Sequence, residues 1–289
     1  MSRILITGAT GNIGTAIIRF LMESETTHEI VAAVRNIDKA KILFPEYERL
    51  DFVNFDFENP DTFKKATQNI DRVFLLRPPH LANVGKYFRP LMEILKEQQI
   101  KEIVFLSVQG AEKSKVIPHN QIESLIEEFN LDYIFLRPSY FMQNLTTTLL
   151  GDIQSKRQII LPSGNAKFNW IDIENIGEIS SILLDRFYEF KNQVIELTGY
   201  ENENFFEVVD LINSAISRPI HFENINPLRF YRIKKKEGIV PGMIVVMILL
   251  HFLPRFQKEP KISDFYEKLT GKKPTKLIDF IVREKEKFE

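Results

Sequence analysis

The chain has 289 residues, a length that suits two domains or one domain with a large extension. Its 38 Lys and Arg nearly cancel its 39 Asp and Glu, which disfavours a whole-protein polyanion binder, so nucleic acid is not an expected partner. The absence of Cys excludes disulfides, thiolate metal sites and Cys nucleophiles, and the 5 His leave little material for a zinc site, so no metal is expected.

Taken in chain order, the first half alternates short apolar runs with helical patterns. Ile4, Leu5 and Ile6 form a first strand candidate, and Ile17, Ile18 and Leu21 then recur at near-helical spacing. Residues 29–35 (EIVAAVR) read as a strand, 53–56 as a strand end, and 61–70 as a helix that starts near Asn59 or Pro60. Residues 73–76 (VFLL), 103–106 (IVFL) and 133–136 (YIFL) are buried strands, with helix faces at Leu91, Ile94 and Leu95 and at Ile122, Leu125, Ile126 and Phe129 between them. Strands apolar on both faces and separated by helices indicate a parallel sheet covered on two sides, hence a doubly wound Rossmann-type α/β fold.

After Ser139 the rhythm degrades. Strand candidates at 159–161, 169–171 and 194–197, a helix over 205–216 and a charged, mostly helical end from 262 to 288 predict a smaller α/β substrate domain. The expected division is 1–150 for the dinucleotide domain and 151–289 for the lid, with roughly residues 165–200 returning to the first. The apolar stretch 239–253 is broken by Pro241, Gly242 and His251 and falls short of the ~20 residues of a membrane span. It reads as a buried or groove-lining helix, with membrane contact a lesser alternative and an interface or a lid also open, and a cytoplasmic protein without stable membrane association is expected. A homodimer or a regulatory protein partner is left open.

The strongest chemical signal is Gly8-Ala9-Thr10-Gly11-Asn12-Ile13-Gly14, between the first strand and the first helix. Gly8 allows a tight turn, Gly11 lets backbone N–H groups approach a pyrophosphate, and Gly14 lets the helix pack on the strand. The helix start adds partial positive charge for the phosphates. At the end of the next strand, where an NAD site usually carries a carboxylate, stands Arg35, which suits a 2′-phosphate; Lys39 and Lys41 follow. NADP(H) is therefore expected over NAD(H), against the simpler alternative of a solvated Arg.

The opening ILITGATGNIG resembles the atypical short-chain dehydrogenase/reductases, and among them the NmrA-like family. Arg35, the pair Asp56-Phe57, residues 137–144 (RPSYFMQN), 170–177 (WIDIENIG) and 269–274 (LTGKKP) are similar to the same family. The resemblance implies an NAD(P)(H)-binding Rossmann domain with a small domain closing a substrate cleft. It implies either a quinone or dye reductase or a dinucleotide-binding regulator. It further implies that Asp56 and Phe57 sit by the adenine. Leu75, Leu76, Arg77 and Pro78 would pass under the nicotinamide ribose, and Ser107 would face the same ring.

Ordinary short-chain dehydrogenases carry a Tyr acid with a Lys four residues on. At that place this chain has His119 and Glu123; Tyr231 and Lys235 share the spacing but lie in a distant basic stretch. His119 is a candidate proton donor, and the alternative is that His119 and Glu123 form a surface pair. Tyr140, Phe141, Met142 and Asn144 after the sixth strand, with His80 and Trp170, are candidates for an apolar pocket that takes a flat ring, or for plain packing. The stretch 229–236 (RFYRIKKK) is read as a solvated loop or an acidic-partner contact. Two functions follow: a hydride transfer from NAD(P)H to a small quinone-like or aromatic acceptor, and a non-catalytic redox sensor. A sugar-nucleotide epimerase is disfavoured because it needs the Tyr/Lys pair.

Overall fold

The computed structural model describes residues 1–24 and 26–289. Its elements run β1 (Arg3–Ile6), α1 (Asn12–Glu23), β2 (Glu29–Val34), α2 (Ile37–Leu43), β3 (Leu50–Asn54), α3 (Phe63–Ala66), β4 (Arg72–Leu76), α4 (Val84–Tyr87), α5 (Arg89–Glu97), β5 (Glu102–Leu106), α6 (Pro118–Glu128) and β6 (Asp132–Pro138). The next are β7 (Tyr140–Phe141), α7 (Leu150–Lys156), β8 (Gln158–Leu161), β9 (Phe168–Ile171), α8 (Ile173–Asp185), α9 (Phe187–Phe190) and β10 (Gln193–Leu197). The chain ends with β11 (Asn202–Glu203), α10 (Phe205–Ala215), β12 (His221–Asn224), α11 (Pro227–Lys236), α12 (Pro241–Phe252), α13 (Phe265–Thr270), α14 (Leu277–Arg283) and α15 (Lys285–Phe288).

Two compact units result. The first holds Met1–Pro138 and Ile173–Leu197, the second Ser139–Asp172 and Thr198–Glu289. The chain therefore crosses at Pro138, not near 150, and the returning segment is shorter than 165–200. The boundary sits there because β6 ends on Pro138, which cannot donate to a ladder, and Ser139 already hydrogen-bonds Asn169 of the second unit at 2.6 Å.

In the first unit, seven parallel strands lie in the order β10-β6-β5-β4-β1-β2-β3. The winding reverses between β1 and β4, and that switch point opens a crevice at the carboxyl ends of the strands. The sequence-predicted parallel sheet is thus the observed one. Its core carries Phe55, Phe57, Phe63, Phe88, Phe105 and Phe135. The returning helix α8 packs on α1 so closely that a Cβ at Gly177 would lie 2.7 Å from Ala16 Cβ. Arg72 opens β4 fully buried, its guanidinium paired with Glu102 and the Leu184 carbonyl and lying 4.7 Å over the Phe187 ring.

The expected helix over 61–70 is only a 3-10 turn at Pro60–Thr62 and the single turn α3, because Asn69 takes a left-handed φ of 58° that ends any helix before β4.

The second unit has β7, β9 and β11 in one small sheet and β8 with β12 in another, around a core that includes Trp170, Phe205, Phe230, Phe280 and Phe288. Asn204 and Glu207 form a capping box that starts α10. The basic stretch 229–236 is not a loop but the body of α11, capped by Asn226. Its Lys234 is buried against Asp152 at 2.5 Å and Glu237 at 2.9 Å, so burial in an ion network replaces the expected solvation.

Candidate functional site

The site is built around the turn from β1 into α1. Thr7, fully buried, donates its hydroxyl to the Phe74 carbonyl at 2.9 Å and accepts from the Leu76 N–H at 2.9 Å, tying the turn to β4 across the switch point. Gly8 has φ +66°, and a Cβ there would lie 2.4 Å from Leu76 Cδ2. At Gly14 a Cβ would lie 2.3 Å from the Gly8 carbonyl oxygen, so the helix can start this close only without a side chain. Gly11 is the N-cap and supplies no side-chain acceptor, and no acidic residue stands in the first turn. The first helical bond, Thr15 N–H to the Gly11 carbonyl at 2.9 Å, leaves the N–H groups of Asn12, Ile13 and Gly14 without helical acceptors. Thr10, Gly11 and Asn12 are exposed while Ile13 is buried. An uncapped positive helix end with a cradle that a Cβ would fill fits a diphosphate.

Arg35 follows β2 with its side chain exposed, and no carboxylate pairs with it among the described residues. Its carbonyl accepts from Asn54 Nδ2, and Asn36 caps α2, so the backbone there is fixed while the guanidinium is free. Asp56 is half-buried and accepts from the Glu58 N–H at 3.0 Å. Phe57, by contrast, is buried, 4.8 Å from Phe55 and 5.1 Å from Phe88 between ring centroids. Its ring is committed to the core, and only its main chain is left to border a ligand.

At the end of β4, Leu75 is buried and Leu76 and Pro78 are half-buried. Arg77 turns back on its own loop, donating to the carbonyls of Pro78 and Pro79 at 3.0 Å and of Leu81 at 3.2 Å. Its Nε donates to His119 Nε2 at 3.4 Å, and the His119 ring lies 6.1 Å from Phe105. Desolvation and then the Arg77 charge push His119 down to about 3. The imidazole is neutral with an accepting Nε2, so a neutral ring stands where the sequence offers a candidate proton donor. Ser107, just after β5, is buried and its hydroxyl oxygen has no hydrogen-bond partner among the described residues. His80 is exposed in the loop beyond Arg77, 3.9 Å from the Glu58 carboxylate.

Glu123 is not a surface residue and does not pair with His119. It is buried and takes Arg137 in a two-pronged ion pair at 2.6 and 3.0 Å. Arg137 also reaches Glu112 at 2.7 Å, and the carboxylates hold its guanidinium above its ordinary range. Near them, burial and then the Glu112 charge raise Glu196.

In the second unit, Tyr140 is ringed by Phe168, Trp170 and Phe205, and its hydroxyl lies 3.0 Å from His251 Nε2. Asn144 lies half-buried in the 3-10 turn Met142–Asn144 that follows β7. Trp170 is fully buried and its indole N–H donates to the Glu203 carbonyl at 3.0 Å. Trp170 is thus a packing residue with a satisfied polar edge, whereas Phe141 is half-buried. His251 escaped the list of candidates drawn from the sequence. It is buried, its Nδ1 lies 2.7 Å from the Met247 carbonyl, and burial lowers it to about 4. Its only signal in the sequence is that it interrupts the apolar run 239–253.

Comparison with known proteins matches the NmrA-like family model over residues 1–280. The Prestalk A differentiation protein A of Dictyostelium discoideum is 31% identical over 278 residues, spanning 96% of this chain and 90% of that protein. The fold is similar to that of Citrobacter sp. triphenylmethane reductase complexed with NADP(H), with a TM-score of 0.84 at 20% identity over 98% of this chain and 99% of that one. It is also similar to that of an NADPH-dependent quinone oxidoreductase of Escherichia coli complexed with NADPH, with a TM-score of 0.83 at 19% identity over 97% and 99% of the two chains. With the family model spanning nearly its whole length, the chain belongs to the NmrA-like family.

Proposed function

We propose that this protein is an NADPH-dependent oxidoreductase that acts on a flat, electron-poor acceptor of the quinone or cationic-dye class. One observation carries the reading: the side-chain-free cradle of Gly8 and Gly14 under an uncapped helix start, with an unpaired Arg35 at the end of the next strand. The N–H groups of Asn12 and Ile13 hold the diphosphate. Arg35 takes a 2′-phosphate and can lie flat on an adenine. Ser107, with a free buried hydroxyl, is available to a polar group that reaches the end of β5. A reduced nicotinamide, when bound, supplies a hydride.

The choice of acceptor rests on the proton inventory. A ketone needs an acid to protonate the forming alkoxide. His119 stays neutral and accepts from Arg77, so it brings no charged acid to that position. An acceptor that is itself strongly electrophilic takes a hydride without such help: a cationic dye becomes neutral and needs no proton, and a quinone becomes a hydroquinone anion that water protonates. The residues supply orientation and exclusion of solvent. The names of the triphenylmethane reductase and the quinone oxidoreductase support the same class of acceptor.

A second reading, a dinucleotide-binding sensor, is favoured by the same neutral His119, because a site without a charged acid also suits binding without turnover. The experiment is to mix the full chain with NADPH and a panel of quinones and triphenylmethane dyes and to follow reduced-nicotinamide absorbance. Turnover supports the reductase. Tight binding of NADPH with no turnover on any acceptor favours the sensor.

A further inference from the structure

Helix α12 has apolar side chains on its outward face as well as its inward one. Ile244, Met247 and His251 point into the second unit, at the spacing of one helix face. The opposite face presents Val245, Val246, Leu249, Leu250 and Leu253, followed by Phe256; Val246 is 57% exposed and Phe256 73%. A surface helix normally turns charged and polar residues outward, and a contiguous apolar patch of this kind marks a contact surface.

The charge around this patch is segregated. Residues 229–261 hold 8 Lys and Arg against 2 Asp and Glu, whereas the rest of the chain holds 30 against 37. Both carboxylates of the segment are engaged: Glu237 with Lys156 and Lys234, Glu259 with the Asn202 amide. Lys235 and Lys236 before the helix, and Arg255, Lys258 and Lys261 after it, are exposed and meet no carboxylate among the described residues. The patch is thus apolar in the middle and cationic at both ends.

We propose that α12 docks this protein on the surface of an anionic lipid bilayer, its outward face among the acyl chains near the headgroups and its flanking cations on lipid phosphates. The helix is about 18 Å long, too short to cross a bilayer but sufficient to lie in its surface. The polar side that an interfacial helix needs is supplied by the body of the second unit, to which Ile244, Met247 and His251 fasten it. A two-fold pairing of copies through this face would bring two cationic rims together, which disfavours self-association. The inference departs from the expectation of no stable membrane association, which rested on the length of the apolar stretch. It does not depend on the redox reading.

The test is pelleting of the full chain with vesicles of equal parts phosphatidylglycerol and phosphatidylcholine, at low and high salt. The expected result is co-pelleting at low salt that falls with salt and with phosphatidylcholine alone. Val246→Asp with Leu249→Asp should abolish it. Lys235→Ala with Lys258→Ala should weaken it roughly thirtyfold, and this pair removes no apolar contact. All four positions are solvent-facing, and thermal unfolding checks that each variant keeps its fold. No pelleting at low salt, or unchanged pelleting of the Asp variant, overturns the proposal. So does a dimer in sedimentation velocity that the Asp variant converts to monomer, because the face is then a self-interface.

Discussion

The Nε of Arg77 donates to Nε2 of His119 across 3.4 Å, and this contact joins the end of β4 to the first turn of α6. Desolvation, and after it the Arg77 charge, keeps the histidine neutral. An imidazole that accepts from a guanidinium in a desolvated place cannot also carry a proton on that nitrogen. The short-chain dehydrogenase position of the acid is therefore occupied here by a neutral acceptor.

The first prediction concerns pH. Native His119 titrates at about 3, whereas unfolding restores its ordinary value of 6.5. Between those values the unfolded chain binds a proton that the native chain does not. Stability from this site is present above 6.5 and declines as pH falls toward 3. His251, lowered to about 4, acts in the same sense. Urea unfolding midpoints of wild type should drop from about pH 7 to about pH 5, and His119→Gln should drop less. Equal slopes would remove His119 from the account.

The glycine cradle makes the second prediction. Gly14→Ala puts a Cβ 2.3 Å from the Gly8 carbonyl, where only backbone movement can relieve the clash. A cost of about 1–3 kcal/mol in stability and at least about tenfold weaker NADPH binding are expected. Thr10→Ala, at an exposed neighbour, should keep wild-type stability. Calorimetry with NADPH reads both variants, and wild-type affinity in Gly14→Ala would refute the cradle.

Arg35 separates the two dinucleotides. Arg35→Ala should weaken NADPH by about 10- to 100-fold, the worth of hydrogen bonds to a charged group, and change NADH little. Equal losses for both would discard the 2′-phosphate assignment.

The buried pair of Glu123 and Arg137 supplies the fourth. Glu123→Ala strands the guanidinium on its buried side, although Glu112 still pairs with it. A loss of about 3 kcal/mol is expected in denaturant unfolding, with the acceptor preference of the surviving folded protein unchanged. A variant as stable as wild type would show the pair to be dispensable.

How much of this was legible differs by residue. The strand, glycine turn and helix of the phosphate loop could be read directly, because Gly8, Gly11 and Gly14 meet constraints set mostly within the same turn. The parallel sheet could be read too, since strands covered on both faces must be apolar throughout. The role of Glu123 could not, because its partner Arg137 lies on β6 and only the register of the sheet brings it over α6. Nor could that of Lys234, whose neighbours in sequence suggest solvent while Asp152 on α7 draws it into the interior.

The sequence by itself determined the doubly wound sheet, the side-chain-free turn and the charge of Arg35. Each depends on spacing within a few residues or on composition along a single element. Only the tertiary structure decided the state of His119, the burial of Phe57 and Trp170 and the outward apolar face of α12. Those depend on which distant side chains arrive beside them and which water they displace, and desolvation is a property of the packed neighbourhood that no local pattern encodes.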